Sequence, residues 1–123
     1  MNFNITEQEN FVIIALKGKL IGQHQIATII DDIEDKIADE KTHFIAELSE
    51  VQLINSTGLG VLLSILTKAR NAGGELILAN LSEQIKKLLI VTKLNAIFTI
   101  EPNLEKAIEK LTALKKENET IKM

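Results

Sequence analysis

The residues of this sequence best suited to chemistry lie in the segment Asn55-Ser56-Thr57-Gly58, where a buried-looking run gives way to small polar residues and then to a helical pattern. This order places a hydroxyl group at the amino terminus of a helix. Backbone N–H groups there lack partners within the helix and the helix dipole is positive, so the position suits a capping side chain or a phosphate group. Phosphorylation of Ser56 would cost the helix little, yet it would add about −1.5 to −2 charges to the nearby surface.

A purely structural role for the same residues is the alternative. In this interpretation Asn55, Ser56 or Thr57 caps the helix, and Gly58 and Gly60 allow the helix to pack closely on a sheet. Polar caps greatly outnumber switches, so the residues alone favour the cap. The two glycines also remove side chains where a partner protein or a nucleotide would approach, which is what a switch requires.

The apolar residues around this segment are candidates for the centre of a transient interface. They are Leu53, Ile54, Leu59 and Val61. The alternative is that all four belong to the core, and for Leu59 we expect the core.

Other kinds of chemistry find no support in the residues. His24 and His43 are far apart in sequence, and no cysteine or spaced pair of carboxylates accompanies them as a metal site would require. Ser56 lacks the Gly-x-Ser-x-Gly turn of serine hydrolases, and no histidine follows it in the chain. We therefore expect no catalytic residue, no metal, no cofactor and no enzymatic activity.

Length and composition exclude several classes of protein. The 123 residues, 46% hydrophobic and 25% charged, predict one globular domain with a real core. A net charge of −3 without a basic cluster argues against direct binding of nucleic acid. No apolar run approaches the roughly 20 residues of a membrane span and the start has no signal-peptide pattern, so we expect a cytoplasmic protein that does not insert into a membrane.

Hydrophobic periodicity predicts an α/β fold. Short apolar or β-prone runs predict strands at Phe3–Thr6, Phe11–Lys17, Thr42–Leu48, Glu75–Ala79 and Ala96–Ile100. Apolar residues three and four apart, together with helix-start signals, predict helices over Gln23–Ala38, along Leu59–Ala69, from Ser82 and from Pro102. Gly18 is expected to end the second strand. The result is a single-layer mixed sheet of about four to five strands, opened by a hairpin and packed with about four α-helices.

The long segment from Phe44 to Gly60 resembles the signature of the STAS domains, best known as bacterial anti-sigma-factor antagonists. The likeness covers nearly the whole chain. It includes Gly18-Lys19-Leu20, the turn into a strand at 71–76 and the helix at 85–89, all at family-like spacing. The resemblance implies the STAS fold over residues 1–114, with 115–123 as a polar tail that we expect to fray.

The resemblance also implies a function. An anti-sigma-factor antagonist of this kind works in a partner-switching pathway, where the unphosphorylated protein binds and sequesters an anti-sigma serine kinase and so frees a sigma factor. Ser56 matches the serine that the partner kinase phosphorylates, and a serine phosphatase resets it. Asn55, Thr57, Gly58 and Leu59 would then shape the partner-binding loop of a monomer or weak dimer.

The sequence departs from the family pattern in two places. Asn55 stands where the well-known antagonists have aspartate, which removes a negative charge beside Ser56. Ile21-Gly22-Gln23 stands where acidic residues often follow the Gly-x-Leu turn. Asn55 is the best support for an alternative, a STAS scaffold that is not phosphorylated or an accessory subunit of a transporter, a lipid-export complex or a stress-signalling complex. The second difference lies near the partner-binding edge of the family and bears on which partner is bound.

Overall fold

The computed structural model describes the backbone of residues 2–21 and 24–121 and the side chains of 3–21 and 28–115. Within those residues the chain forms five strands, β1 (Asn2–Glu7), β2 (Val12–Leu20), β3 (His43–Ile54), β4 (Glu75–Ala79) and β5 (Thr99–Glu101). The same described part contains four α-helices, α1 (His24–Ala38), α2 (Ser56–Asn71), α3 (Glu83–Val91) and α4 (Leu104–Ile121), with a 3₁₀ turn at Leu94–Ala96.

The strands form one sheet in the order β1-β2-β3-β4-β5. The first two are antiparallel neighbours, as the predicted hairpin requires, whereas β2, β3, β4 and β5 run parallel to one another. The predicted fold class, a mixed sheet packed with helices, is confirmed. Because the parallel strands all point the same way, their carboxyl ends meet at one edge of the sheet, which we call the carboxyl edge.

Helices cover both faces of the sheet, and the alternating side chains of β3 serve both. Phe44, Ala46 and Leu48 are fully buried in the larger cluster, which also takes in residues of α1, α2 and α3. Ile45 lies on the opposite face, in a smaller cluster with Ala107 of α4 and residues of β4. Burial on both faces explains why the middle of β3 is an uninterrupted apolar run.

The turn between α2 and β4 follows the predicted stop signal. Gly73 adopts a positive φ of 86°, a conformation that favours glycine, and its N–H donates to the Arg70 carbonyl oxygen. At Gly74 a Cβ atom would collide with the Thr42 carbonyl oxygen, so only glycine lets the turn pass β3 this closely. This turn brings β4 into parallel register beside β3.

Two strands extend further than expected. Gly18 does not end β2; it has a positive φ of 84° and lies at an irregularity in the ladder, after which the strand continues to Leu20. β3 likewise continues from Leu48 to Ile54, pairing only with β2 beyond Glu47. The extra pairing makes β2 and β3 project past β4 at the carboxyl edge.

The last elements start later than predicted. β5 spans Thr99–Glu101 instead of Ala96–Ile100, because Leu94–Ala96 forms a 3₁₀ turn. Pro102 precedes α4, and the Asn103 side chain caps that helix by accepting from the Lys106 N–H at 2.8 Å. The helix runs to Ile121, past the expected boundary at residue 114. At α1, the expected start at Gln23 lies outside the described residues.

Candidate functional site

The polar segment predicted as the site joins β3 to α2 at the carboxyl edge. Ile54 is buried at the end of β3, Asn55 has extended backbone, and α2 begins at Ser56. The Asn55 side chain accepts a hydrogen bond from the Gly58 N–H at 3.0 Å, while its carbonyl oxygen accepts from the Leu59 N–H. Asn55 is therefore the N-cap, one of the three residues that the structural interpretation named for this role.

Ser56 does not cap the helix. It is the first residue of α2 and is exposed, and no hydrogen bond of its hydroxyl occurs within the described part of the chain. The first turn of the helix contains no acidic residue, so the positive end of the dipole is not neutralised there. A phosphate on Ser56 would stand at this end, where charge and free N–H groups favour an anion. Its neighbour Thr57 is half-buried.

The two glycines of the segment have different roles. Gly58 is buried, and a Cβ atom there would collide with the Leu20 carbonyl oxygen and approach Ile54 Cγ1 to 2.8 Å. Gly58 thus allows the first turn of α2 to rest on the end of β2. Gly60 is exposed, and a Cβ atom there would find nothing within 4 Å. Of the two, only Gly60 leaves space on the outside of the protein.

The apolar residues around the segment also divide into buried and exposed ones. Ile54, Leu59 and Val61 have exposed fractions of 7%, 3% and 2% and belong to the core. Leu53 is 38% exposed. The structure thus brings Asn55, Ser56 and Leu53 to the surface, while Leu59 packs inside as expected.

Sequence reasoning missed a polar cluster between the middle of β3 and the end of β4. The Glu47 carboxylate accepts hydrogen bonds from both the N–H and the hydroxyl of Ser49, at 2.8 and 3.0 Å, and from the Asn80 side chain at 3.1 Å. Asn80 follows β4 and has a positive φ of 59°, so its bond to Glu47 ties a residue in the left-handed region to β3. A single glutamate within the apolar run of β3 was the available signal.

Within the described residues, His43 belongs to no group of metal ligands. His43 is 6% exposed at the start of β3, with Nδ1 3.2 Å from the Thr42 hydroxyl and Nε2 without a hydrogen-bond partner. Burial lowers the pKa of His43, and the charge of Lys115 lowers it further. The His24 side chain lies outside the described residues, and among those described no three His, Cys, Asp or Glu residues are grouped as metal ligands would be. Nor is any helix of the described part long and apolar enough to cross a membrane.

Comparison with known proteins agrees with this fold. The anti-sigma-B factor antagonist of Bacillus subtilis is 26% identical over 109 residues, which make up 89% of this chain and 98% of that protein. A variant of RsbS from Moorella thermoacetica has a TM-score of 0.79 at 16% identity, covering 94% of this chain and 99% of the other. An anti-sigma factor antagonist from Mycobacterium paratuberculosis gives 0.76 at 18% identity, covering 90% and 93%.

At 16% and 18% identity, the two structures demonstrate only a shared fold. The family is shown by a match of the sequence to a family model. The family model described as the STAS domain matches residues 2–107, a span that includes the whole sheet and the Asn55–Ser56 junction. With the fold, the match and the relatives in agreement, this chain belongs to the STAS domain family.

Proposed function

We propose that this protein is an anti-sigma factor antagonist that binds an anti-sigma serine kinase while Ser56 is unphosphorylated and loses that partner when Ser56 is phosphorylated. The proposal rests on one observation: at the start of α2 the capping residue and the exposed serine are two different residues. Asn55 supplies the cap, so the exposed Ser56 hydroxyl is available to a kinase without loss of a hydrogen bond in the described structure. The relative named anti-sigma-B factor antagonist supports the same function.

The chemistry would belong to the kinase. Its base takes the proton of the Ser56 hydroxyl, the oxygen attacks the γ-phosphorus of ATP, and ADP leaves. The product carries about −1.5 to −2 charges and three acceptor oxygens where the partner surface had met a neutral hydroxyl. The helix end accommodates this charge, so the fold is retained while the docking surface changes. A serine phosphatase would restore the binding form.

A STAS scaffold that is not phosphorylated remains the second candidate, because the residue before Ser56 is a neutral asparagine. As the N-cap, Asn55 accepts the hydrogen bond of the Gly58 N–H without presenting a carboxylate to a kinase. Under this proposal the same surface would hold a constant partner in a transporter, lipid-export or stress-signalling complex.

The first test is to isolate the protein from its native cells during growth and during stress and to map phosphate on the peptide that contains Ser56 by mass spectrometry. The antagonist proposal expects an occupancy that changes with the condition. It also expects a serine kinase to copurify with the unphosphorylated form. An unmodified Ser56 under all conditions, with a stable partner that is not a kinase, would favour the scaffold.

Two variants sharpen this test. Ser56→Ala should keep kinase binding but show no phosphate transfer from ATP, and binding should then be insensitive to ATP. Ser64→Ala is the matched control, since it removes an exposed hydroxyl further along the same helix and should still be phosphorylated at Ser56. Transfer to Ser56→Ala at the wild-type rate would show that the acceptor is a different residue and would contradict the proposal.

A further inference from the structure

The most exposed large apolar side chains of the described residues lie on α3. Ile90 and Val91 have exposed fractions of 61% and 79%, whereas Ile21 and Leu53, at the carboxyl edge, have 41% and 38%. Both residues belong to the last turn of α3, whose inner side is anchored in the larger core cluster. A helix packed on a sheet normally turns polar residues outward, so this outward apolar pair marks a contact surface.

The same face of α3 is basic. Lys87 precedes Ile90 and Val91 by three and four residues, so it projects on the same side of the helix. Lys86 is paired with Glu83 at 3.4 Å, whereas Lys87 has no ion pair within the described residues. We call Lys87, Ile90 and Val91 the α3 knob, an apolar projection with one unpaired positive charge.

A groove lies between the carboxyl-terminal halves of α1 and α2. It has a volume of about 300 Å³ and is lined by Glu34, Ile37, Lys68, Asn71 and Ala72. Lys68 is paired with Glu34 at 2.8 Å, so the one lysine of the lining is already neutralised. Ile37 is half-buried against the core and gives the groove an apolar wall.

The α1 side of this groove is acidic. Asp31 and Asp35 are exposed one turn apart, next to Glu34. Among the residues that the structure describes, neither aspartate forms an ion pair. The groove therefore complements the α3 knob in shape, with an apolar wall for an apolar projection, and in charge, with free carboxylates for a free lysine.

The α3 knob and the groove lie on one face of the sheet, because α1, α2 and α3 all pack on the larger core cluster. Each of these helices leads from the carboxyl edge back to the start of the next parallel strand. Their carboxyl-terminal ends therefore lie at the opposite edge. A two-fold rotation that sets this face against its copy places each knob over the groove of the other molecule, and two equal contacts close a dimer.

We infer that the protein forms a symmetric dimer in which the α3 knob of each molecule inserts into the α1–α2 groove of the other. The apolar side chains of the knob lose water against Ile37. Lys87 faces the carboxylates of Asp31 and Asp35. This interface is centred at the edge opposite Ser56, and the inference does not depend on the proposed function.

Sedimentation equilibrium of the whole chain over a range of concentrations tests the dimer. The average mass of the wild-type protein should rise toward twice the monomer mass as the concentration increases. Val91→Ser should raise the dissociation constant by about tenfold or more, as loss of a central apolar contact does. Leu53→Ser is the matched control, because it exchanges another exposed apolar side chain for serine at the carboxyl edge and should leave the dissociation constant unchanged.

Charge reversal tests the pairing of the two surfaces. Lys87→Glu and Asp35→Lys should each weaken their own dimer, because each variant places like charges at both contacts. An equimolar mixture of the two variants should restore association. In the mixed dimer one contact has both charges reversed and the other has the wild-type charges, so both are attractive.

The outcomes decide between this dimer and other uses of the surface. Weaker association of Val91→Ser, together with recovery in the mixture, supports the inference. A wild-type protein that stays monomeric at every concentration overturns it, and binding of that monomer to phosphatidylglycerol-rich vesicles would assign the α3 knob to an anionic membrane. Assemblies larger than two molecules, or a dimer that Val91→Ser and the charge variants leave intact, also overturn it.

Discussion

Replacing Gly58 with alanine tests whether α2 depends on direct contact with the end of β2. An added methyl group would collide with the Leu20 carbonyl oxygen and lie 2.8 Å from Ile54 Cγ1, so the first turn of the helix must shift. Overpacking of this kind costs about 1–3 kcal/mol, occasionally more, and backbone atoms yield less easily than flexible side chains. Alanine regains up to about 1 kcal/mol of helix propensity. We expect a net loss of roughly 1–2 kcal/mol from these two opposing terms.

Gly60→Ala is the matched control two residues along the same helix. Its methyl group would meet nothing within 4 Å, so no collision offsets the higher helix propensity of alanine. The free energy of unfolding should therefore rise by about 0.5–1 kcal/mol. Urea unfolding followed by circular dichroism gives both free energies, with equal slopes confirming a two-state comparison. A Gly58→Ala protein as stable as Gly60→Ala would refute the account of the contact with Leu20.

Two further predictions concern the cap and the buried histidine. Asn55→Ala should lower the free energy of unfolding by about 1 kcal/mol. Asn55→Asp should keep or raise it, because a carboxylate caps equally well and complements the helix dipole. If thermal unfolding finds the aspartate variant no more stable than the alanine variant, the capping geometry is contradicted. The pKa of His43 is lowered in the folded protein mainly by burial, so the unfolded chain binds the proton more readily and stability should fall as the pH drops below about 6.5. His43→Gln should remove that component of the pH dependence, measured by urea unfolding across the range, and an unchanged profile would show that His43 does not cause it.

The sequence was most informative where local signals and tertiary packing agree. β4 spans Glu75–Ala79 as predicted, because Gly73 and Gly74 end the preceding helix and the strand is a continuous apolar run. Ser82 caps α3 through the Ile85 N–H at 3.2 Å, as its position before a helical pattern predicted. At these places each element is specified by its own residues.

Predictions failed where distant pairing decides. Gly18 has the local signature of a strand end, but pairing with β3 carries β2 two residues further, to Leu20. Beyond Leu48, only every third residue of β3 is buried, since Val51 and Ile54 are buried while the residues between them are exposed, and this is not the two-residue period of a strand. A parallel ladder between strands thirty residues apart leaves no local trace, so its length could not be predicted.

The site itself was predictable in position but not in its internal assignment. The polar segment and the helix start were recognisable, yet three residues could have served as the cap and only the structure assigns Asn55. The same holds for the glycines, where neither composition nor spacing separates the internal role of Gly58 from the open position of Gly60. The exposure of Ile21 and Leu53 depends on how far β2 and β3 extend, which the sequence did not reveal.

The presence of the cap and of the exposed hydroxyl on two different residues, Asn55 and Ser56, has an evolutionary consequence. Because Asn55 supplies the cap and the Ser56 hydroxyl makes no hydrogen bond within the described structure, we expect substitutions at residue 56 to be nearly neutral for folding. Under the proposed function, a lineage could therefore gain or lose phosphorylation by a single codon change, without a compensating change elsewhere. If the proposal holds, selection by a kinase acts on residue 56 independently of selection for stability.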